Sequence, residues 1–137
     1  ASTETICIVN DEPTSLTDAY ALMKVLSQGY GEKKVSVLVN NTVTERDALK
    51  AYARLERAVE RLLHISIDCI GFVPRDAAFC EAVREQTALL QLYPSSSAAL
   101  ALTSLVRRMD QDFQALRVKG GMQFFFKQLV EMNSPGA

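Results

Sequence analysis

A chain of 137 residues is one domain's worth of polypeptide, or a piece of a larger domain, and hardly two. Hydrophobic residues at 48% and charged residues at 23% exclude a disordered tail, and no stretch approaches the ~20 apolar residues of a membrane span. Fifteen Lys plus Arg against sixteen Asp plus Glu give a formal net charge of -1, without the basic excess on which polyanion binding rests, so no direct nucleic-acid partner is expected. Cys7, Cys69 and Cys80 form no CxxC pair and no Cys/His cluster, which argues against zinc and for reduced thiols in a cytoplasmic protein. Ala1 to Thr5 lack the basic start of a secretory signal.

Thr5 to Asn10 is a short β-branched run stopped by Asp11-Glu12-Pro13 and reads as a buried strand. Thr14 and Ser15 offer N-caps for a helix whose apolar stripe is Leu16, Ala19, Tyr20, Met23 and Leu26, with Gly29 and Gly31 ending it. Val35 to Val39 is a second buried strand, closed by Asn40-Asn41. Thr44 and Asp47 form a capping pattern before a helix with Ala48, Tyr52, Leu55, Val59 and Leu62 inward and a charge-laced outer face. His64, at its end, suits the terminal carbonyls better than it suits catalysis.

Ile65 to Val73 reads as a third buried strand, followed by Pro74-Arg75-Asp76 and a short helix marked by Phe79, Ala82, Val83 and Gln86. Serines 95 to 97 can cap a long helix carrying Ala98, Leu102, Leu105, Met109, Phe113 and Leu116 on one side. Gly120-Gly121 precedes a last apolar stretch, Met122 to Met132. Apolar strands alternating with helices predict an α/β fold: a parallel sheet flanked by helices, on both faces. Ligands of such folds lie beyond the carboxyl ends of the strands, where Asn10 to Pro13, Asn40-Asn41 and Pro74 to Asp76 gather. No GxxxxGK[ST], GxGxxG, HExxH or nucleophile elbow occurs, and one histidine gives a Ser-His-Asp arrangement little support. No catalytic residue is assigned. The opening strand wants neighbours on both sides, so an N-terminal half removed, or supplied by another chain, is the economical expectation.

Asp11-Glu-Pro-Thr-Ser-Leu-Thr-Asp-Ala-Tyr-Ala-Leu-Met-Lys-Val-Leu26, then Val39-Asn40, Gly71-Phe-Val-Pro-Arg-Asp76 and Phe124-Phe-Phe-Lys-Gln-Leu-Val130, resemble the C-terminal half of the MinD/ParA-like P-loop ATPases. The branch matched is the flagellar-number regulators, FlhG or FleN. The resemblance implies an ATPase that limits flagellar number and dimerises around ATP or ADP, with magnesium bound in the intact parent. It also implies partnership with the flagellar GTPase FlhF, in some species with a transcriptional activator, and a cytoplasmic location peripheral to the inner face of the membrane. The family's lysine-containing phosphate loop, magnesium ligands and water-positioning aspartate lie in its N-terminal half, so hydrolysis by this chain alone is not expected. Residues 1–118 would be part of the ATPase domain and 119–137 an amphipathic tail.

Carried over by position, Asn40 would hydrogen-bond the adenine edge, its amide supplying both donor and acceptor; otherwise it simply turns the strand end. Val73, Pro74, Arg75 and Asp76 match the loop whose backbone reads the base. There Arg75 could stack on the ring, and Asp76 alternatively serves as an N-cap. Glu12 matches a position near nucleotide and dimer face, or is a plain loop carboxylate. Met122, Phe125, Phe126, Leu129 and Val130 fall on one helical stripe. Burying them is worth roughly 8–15 kcal/mol gross, and ordering about ten residues at ~1–2 kcal/mol each consumes most of it. One copy would bind a membrane weakly, and two in a dimer much better. Lys119 and Lys127 stand against Glu131, few basic groups for an interfacial helix, so folding back onto an apolar groove is the rival. Two other functional readings remain: a stand-alone α/β interaction module, or another branch of the superfamily, septum placement or chromosome partition.

Overall fold

The structure, a computed structural model, describes residues 4–112 and 114–115. The chain divides into two compact units, Ala1–Leu102 and Thr103–Ala137. In the first, β1 (Ile6–Val9), α1 (Pro13–Tyr30), β2 (Lys34–Thr42), α2 (Glu45–Leu62), β3 (Ser66–Pro74), α3 (Ala77–Arg84) and α4 (Leu89–Leu92) follow in chain order, and a further helix begins at residue 97. The described residues of the second unit, 103–112 and 114–115, are helical. The expected division after residue 118, and the stripe from Met122 to Val130, lie outside the described residues.

The sheet is parallel throughout, in the order β1-β2-β3. Because two right-handed crossovers move the chain the same way across the sheet, both helices must land on one face. They do: Cys7, Val9, Val35, Val37, Val39 and Ile65 meet Ala19 and Met23 of α1 and Ala48, Ala51, Leu55 and Val59 of α2 in one core. On the opposite face of β2, Ser36 and Leu38 are buried as well. Only β2 is buried through its middle, whereas β1 alternates and β3 buries Val73 alone. Their apolar composition was expected to mean burial. As the outer strands among the described residues, they lack a neighbour on one side, and Ile8 is 62% exposed.

The stripe expected for α1 packs as read: Ala19 and Met23 are buried, and Leu16, Tyr20 and Leu26 lie against the same core. Its start differs. Neither Thr14 nor Ser15 caps the helix; Glu12 is the N-cap, without a side-chain bond, and Pro13 takes the first turn, where its missing N–H costs nothing. The helix runs through Gly29 and closes at Gly31, whose φ of 67° lies in the left-handed region and whose N–H donates to the Leu26 carbonyl.

Helix α2 begins as expected, with Thr44 Oγ1 accepting the Asp47 N–H at 3.1 Å. It ends on Leu63 rather than His64, the Leu63 N–H donating to the Val59 carbonyl. Leu62, expected inward, is 68% exposed, and Ala51 takes the inward place instead. Tyr52 ties the helix to the sheet, its hydroxyl lying 3.1 Å from both the Ile67 carbonyl and the Glu56 carboxylate. Burial, and then the neighbouring Glu56, push that phenol well above its ordinary value.

Candidate functional site

Beyond the carboxyl ends of the three strands lies a cleft of about 680 Å³, lined by Ile8 and Val9 of β1, by Asn10 just after it, and by Ser15 of α1. β2 contributes Asn40 and Asn41, and the β3–α3 segment contributes Pro74, Arg75, Asp76, Ala77, Phe79 and Cys80. This is where an open parallel sheet places its ligands, since loops diverge there.

A β-bulge shapes the middle of the cleft. Asn40 pairs with Val73 and Thr42 with Pro74, leaving Asn41 unpaired between them. Asn41 takes a φ of 59°, a conformation Asn tolerates better than most side chains. Thr42 beyond it is fully buried, and its carbonyl accepts the Arg75 N–H at 2.8 Å, fixing the turn between β3 and α3. The bulge thus presents two successive amides at one strand end.

The polar groups of the cleft divide by whether they are already engaged. Ser15 Oγ accepts the Asn10 N–H at 3.0 Å, and Asn10 Oδ1 accepts the Glu12 N–H at 3.0 Å. Asp76 Oδ1 accepts the Ala78 N–H at 2.9 Å, and Oδ2 accepts the Ala98 N–H at 2.9 Å. Among the described residues, the side chains of Asn40, Asn41 and Arg75 make no hydrogen bond or ion pair. A planar cation and two amides, each amide with both a donor and an acceptor, are therefore free to recognise a planar heterocycle with mixed edges.

Of the residues expected here, Asn40, Pro74, Arg75 and Asp76 line the cleft. Val73 is buried, so only its backbone, paired with Asn40, stands near. Glu12 is exposed and does not line the cleft. Phe79 and Cys80 were not expected. Reading Asp76 as an N-cap and counting onward places both on the first turn of α3, which was the available signal. Among the described residues no group of three or more His, Cys, Asp or Glu side chains could hold a metal ion.

The Ala98 N–H first, then the Ala78 N–H, with the Ser96 hydroxyl adding to them, hold the Asp76 carboxyl below its ordinary value of 3.8, against a smaller opposing effect of burial. A group whose folded pKa is depressed stabilises the fold above its unfolded value. Asp76 should therefore give its full contribution above about pH 3.8, and lose it as pH falls through the folded value. Urea midpoints of the native chain and Asp76→Asn, measured from pH 6 to pH 2, should converge at the acid end. A constant gap would show that the charge is not what stabilises.

No family model matches the chain. It is similar to the antiactivator FleN of Pseudomonas aeruginosa, 31% identical over 137 residues, which is 100% of this chain and 49% of FleN. It is also similar to the flagellum site-determining protein YlxH of Helicobacter pylori, 22% identical over 135 residues, covering 96% of this chain and 45% of YlxH. An uncharacterized ATP-binding protein of Methanocaldococcus jannaschii is 28% identical over 126 residues, 92% of this chain and 45% of that protein. The chain thus spans about half the length of the curated relatives it matches.

Proposed function

Taking as premise that this chain belongs with the FlhG/FleN-like ATPases, we propose that it forms the base-reading side of a nucleotide site in a regulator of flagellar number and placement. The observation that supports this most directly is the free Asn40 amide, standing in one cleft with the Arg75 guanidinium. The amide reads the adenine edge, and the guanidinium plane stacks on or flanks the ring. Pro74 and Ala77 give that ring an apolar wall. ATP or ADP is the ligand. Its phosphates and magnesium need groups that this sequence does not contain, and this chain's share is to bind and orient the purine.

On the same reading the intact protein is a homodimer in its ATP state, part of the dimer face lies near Glu12, and FlhF and a transcriptional activator are its partners. Met122, Phe125, Phe126, Leu129 and Val130 would hold the membrane surface. These assignments rest on the sequence resemblance alone. A protein-interaction module is the second reading, favoured by the exposed apolar side chains Val83, Leu90 and Tyr93 at 60%, 48% and 42% exposure.

Titration of this chain with adenosine, ATP and GTP, followed by NMR, tests the proposal. Adenosine and ATP should bind alike and weakly, with Kd near 1 mM, about -4 kcal/mol, because the base makes the contacts. GTP should be weaker. A chain blind to adenosine at 10 mM, or one that prefers ATP over adenosine a hundredfold, would rule out the base-reading role.

A further inference from the structure

We propose that Asp76 is a positioning residue that joins the base-reading turn to the helix beginning at residue 97, so that occupancy of the cleft and order in that helix's first turn rise and fall together. The proposal rests on the base-site reading above for its ligand, but its geometry stands apart from it. Asp76 lies in the turn between β3 and α3 with Arg75 beside it. One carboxylate oxygen caps α3 through the Ala78 N–H, and the other reaches 22 residues along the chain to the Ala98 N–H, both at 2.9 Å. In the same first turn, Ser96 Oγ accepts the Ala99 N–H at 3.2 Å.

Two helix starts therefore share one side chain, and each N-terminus contributes unpaired N–H donors that favour an anionic acceptor. Only a carboxylate serves both, because it carries two acceptor oxygens and no donor. An asparagine at this position would satisfy one N–H and turn its NH2 group against the other. The rest of the turn is equally constrained: the Arg75 N–H is bound to the Thr42 carbonyl at 2.8 Å, beside the Asn40–Asn41 bulge. Anything that fixes Arg75 and Pro74 around a bound ring fixes Asp76, and through it Ala98 and Ala99. By reciprocity, ordering that helix start must tighten the cleft. Ala98 and Ala99 do not line the cleft, so their response separates coupling from direct contact.

The test has two arms on this 137-residue chain, read by amide hydrogen exchange and NMR. Without ligand, Asp76→Asn and Ser96→Ala should each speed exchange at Ala98 or Ala99 and shift the Asn40 side-chain amide signal. If neither variant moves both readouts, the proposal is overturned, whether or not any nucleotide binds. With adenosine, the native chain should slow exchange at Ala98 and Ala99, and Asp76→Asn should weaken adenosine about fivefold to tenfold, the loss expected of one cap. Ser96→Ala, which spares the carboxylate, guards against a misfolded Asp76 variant and should give a smaller loss of the same sign. Adenosine that binds while Ala98 exchange stays unchanged overturns the coupling. A native chain that binds no adenosine sinks the base-site reading and leaves the positioning role to be decided by the first arm.

Discussion

Leu55→Ala should lower the unfolding free energy by about 2–5 kcal/mol, read as a fall in urea midpoint at unchanged slope. Leu55 is 2% exposed and lies in the core that α2 shares with α1 and the sheet, beside Val59 and Ala51. Truncation leaves a cavity that the β-branched Val35, Val37 and Val39 are too stiff to fill. Against a total of roughly 5–15 kcal/mol for a typical domain, the loss is a substantial share of the stability. Leu62→Ala supplies the contrast. It occupies the same helix and the same sequence periodicity, but at 68% exposure its truncation should stay within about 0.5 kcal/mol. Equal effects from the two would mean that α2 does not pack as described.

Asn40→Ala should weaken adenosine binding about tenfold or more, the ~1.4 kcal/mol or greater expected when an edge hydrogen-bond pair is removed, without changing the unfolding free energy by more than about 0.5 kcal/mol. The Asn40 side chain bonds nothing else among the described residues, so its loss leaves no orphan in the protein. Asn40→Asp is more discriminating. It keeps the shape but replaces a donor–acceptor pair by two acceptors, which suits the N1–H and amino donors of guanine and opposes the ring nitrogen of adenine. The ratio of adenosine to guanosine affinity should therefore fall and, with nucleosides, phosphate repulsion cannot confuse the result. An unchanged ratio would remove Asn40 from the base.

What the sequence disclosed depended on how local the determining physics was. The Thr44–Asp47 cap and the α1 stripe are set by neighbours three and four residues away, and both fold as read. The start of α1 was misplaced because Thr14 and Ser15 resemble caps, while Pro13 at the first turn moves the boundary back to Glu12. The site was legible in three fragments, at Asn10, Asn40-Asn41 and Pro74 to Asp76, because strand ends of a parallel sheet converge. The Asn41 bulge was not, since it appears only when β2 is registered against β3. Nor was the second partner of Asp76, because a bond to Ala98 across 22 residues leaves no periodic trace. Gln86, expected within the short helix, lies beyond its end at a φ of 53°, and the four-residue α4 that follows was not read at all.

The all-parallel pairing bears on how the chain acquires its structure. Ile6 meets Ser36, and Lys34 meets Ser66, so no two strands can join before a whole intervening helix has been made and closed into a loop. Such long-range closure is slow to nucleate, and among the described residues no hairpin is present to act as a seed. During synthesis on the ribosome, the β1–β2 pairing therefore cannot form until α1 and β2 have both emerged.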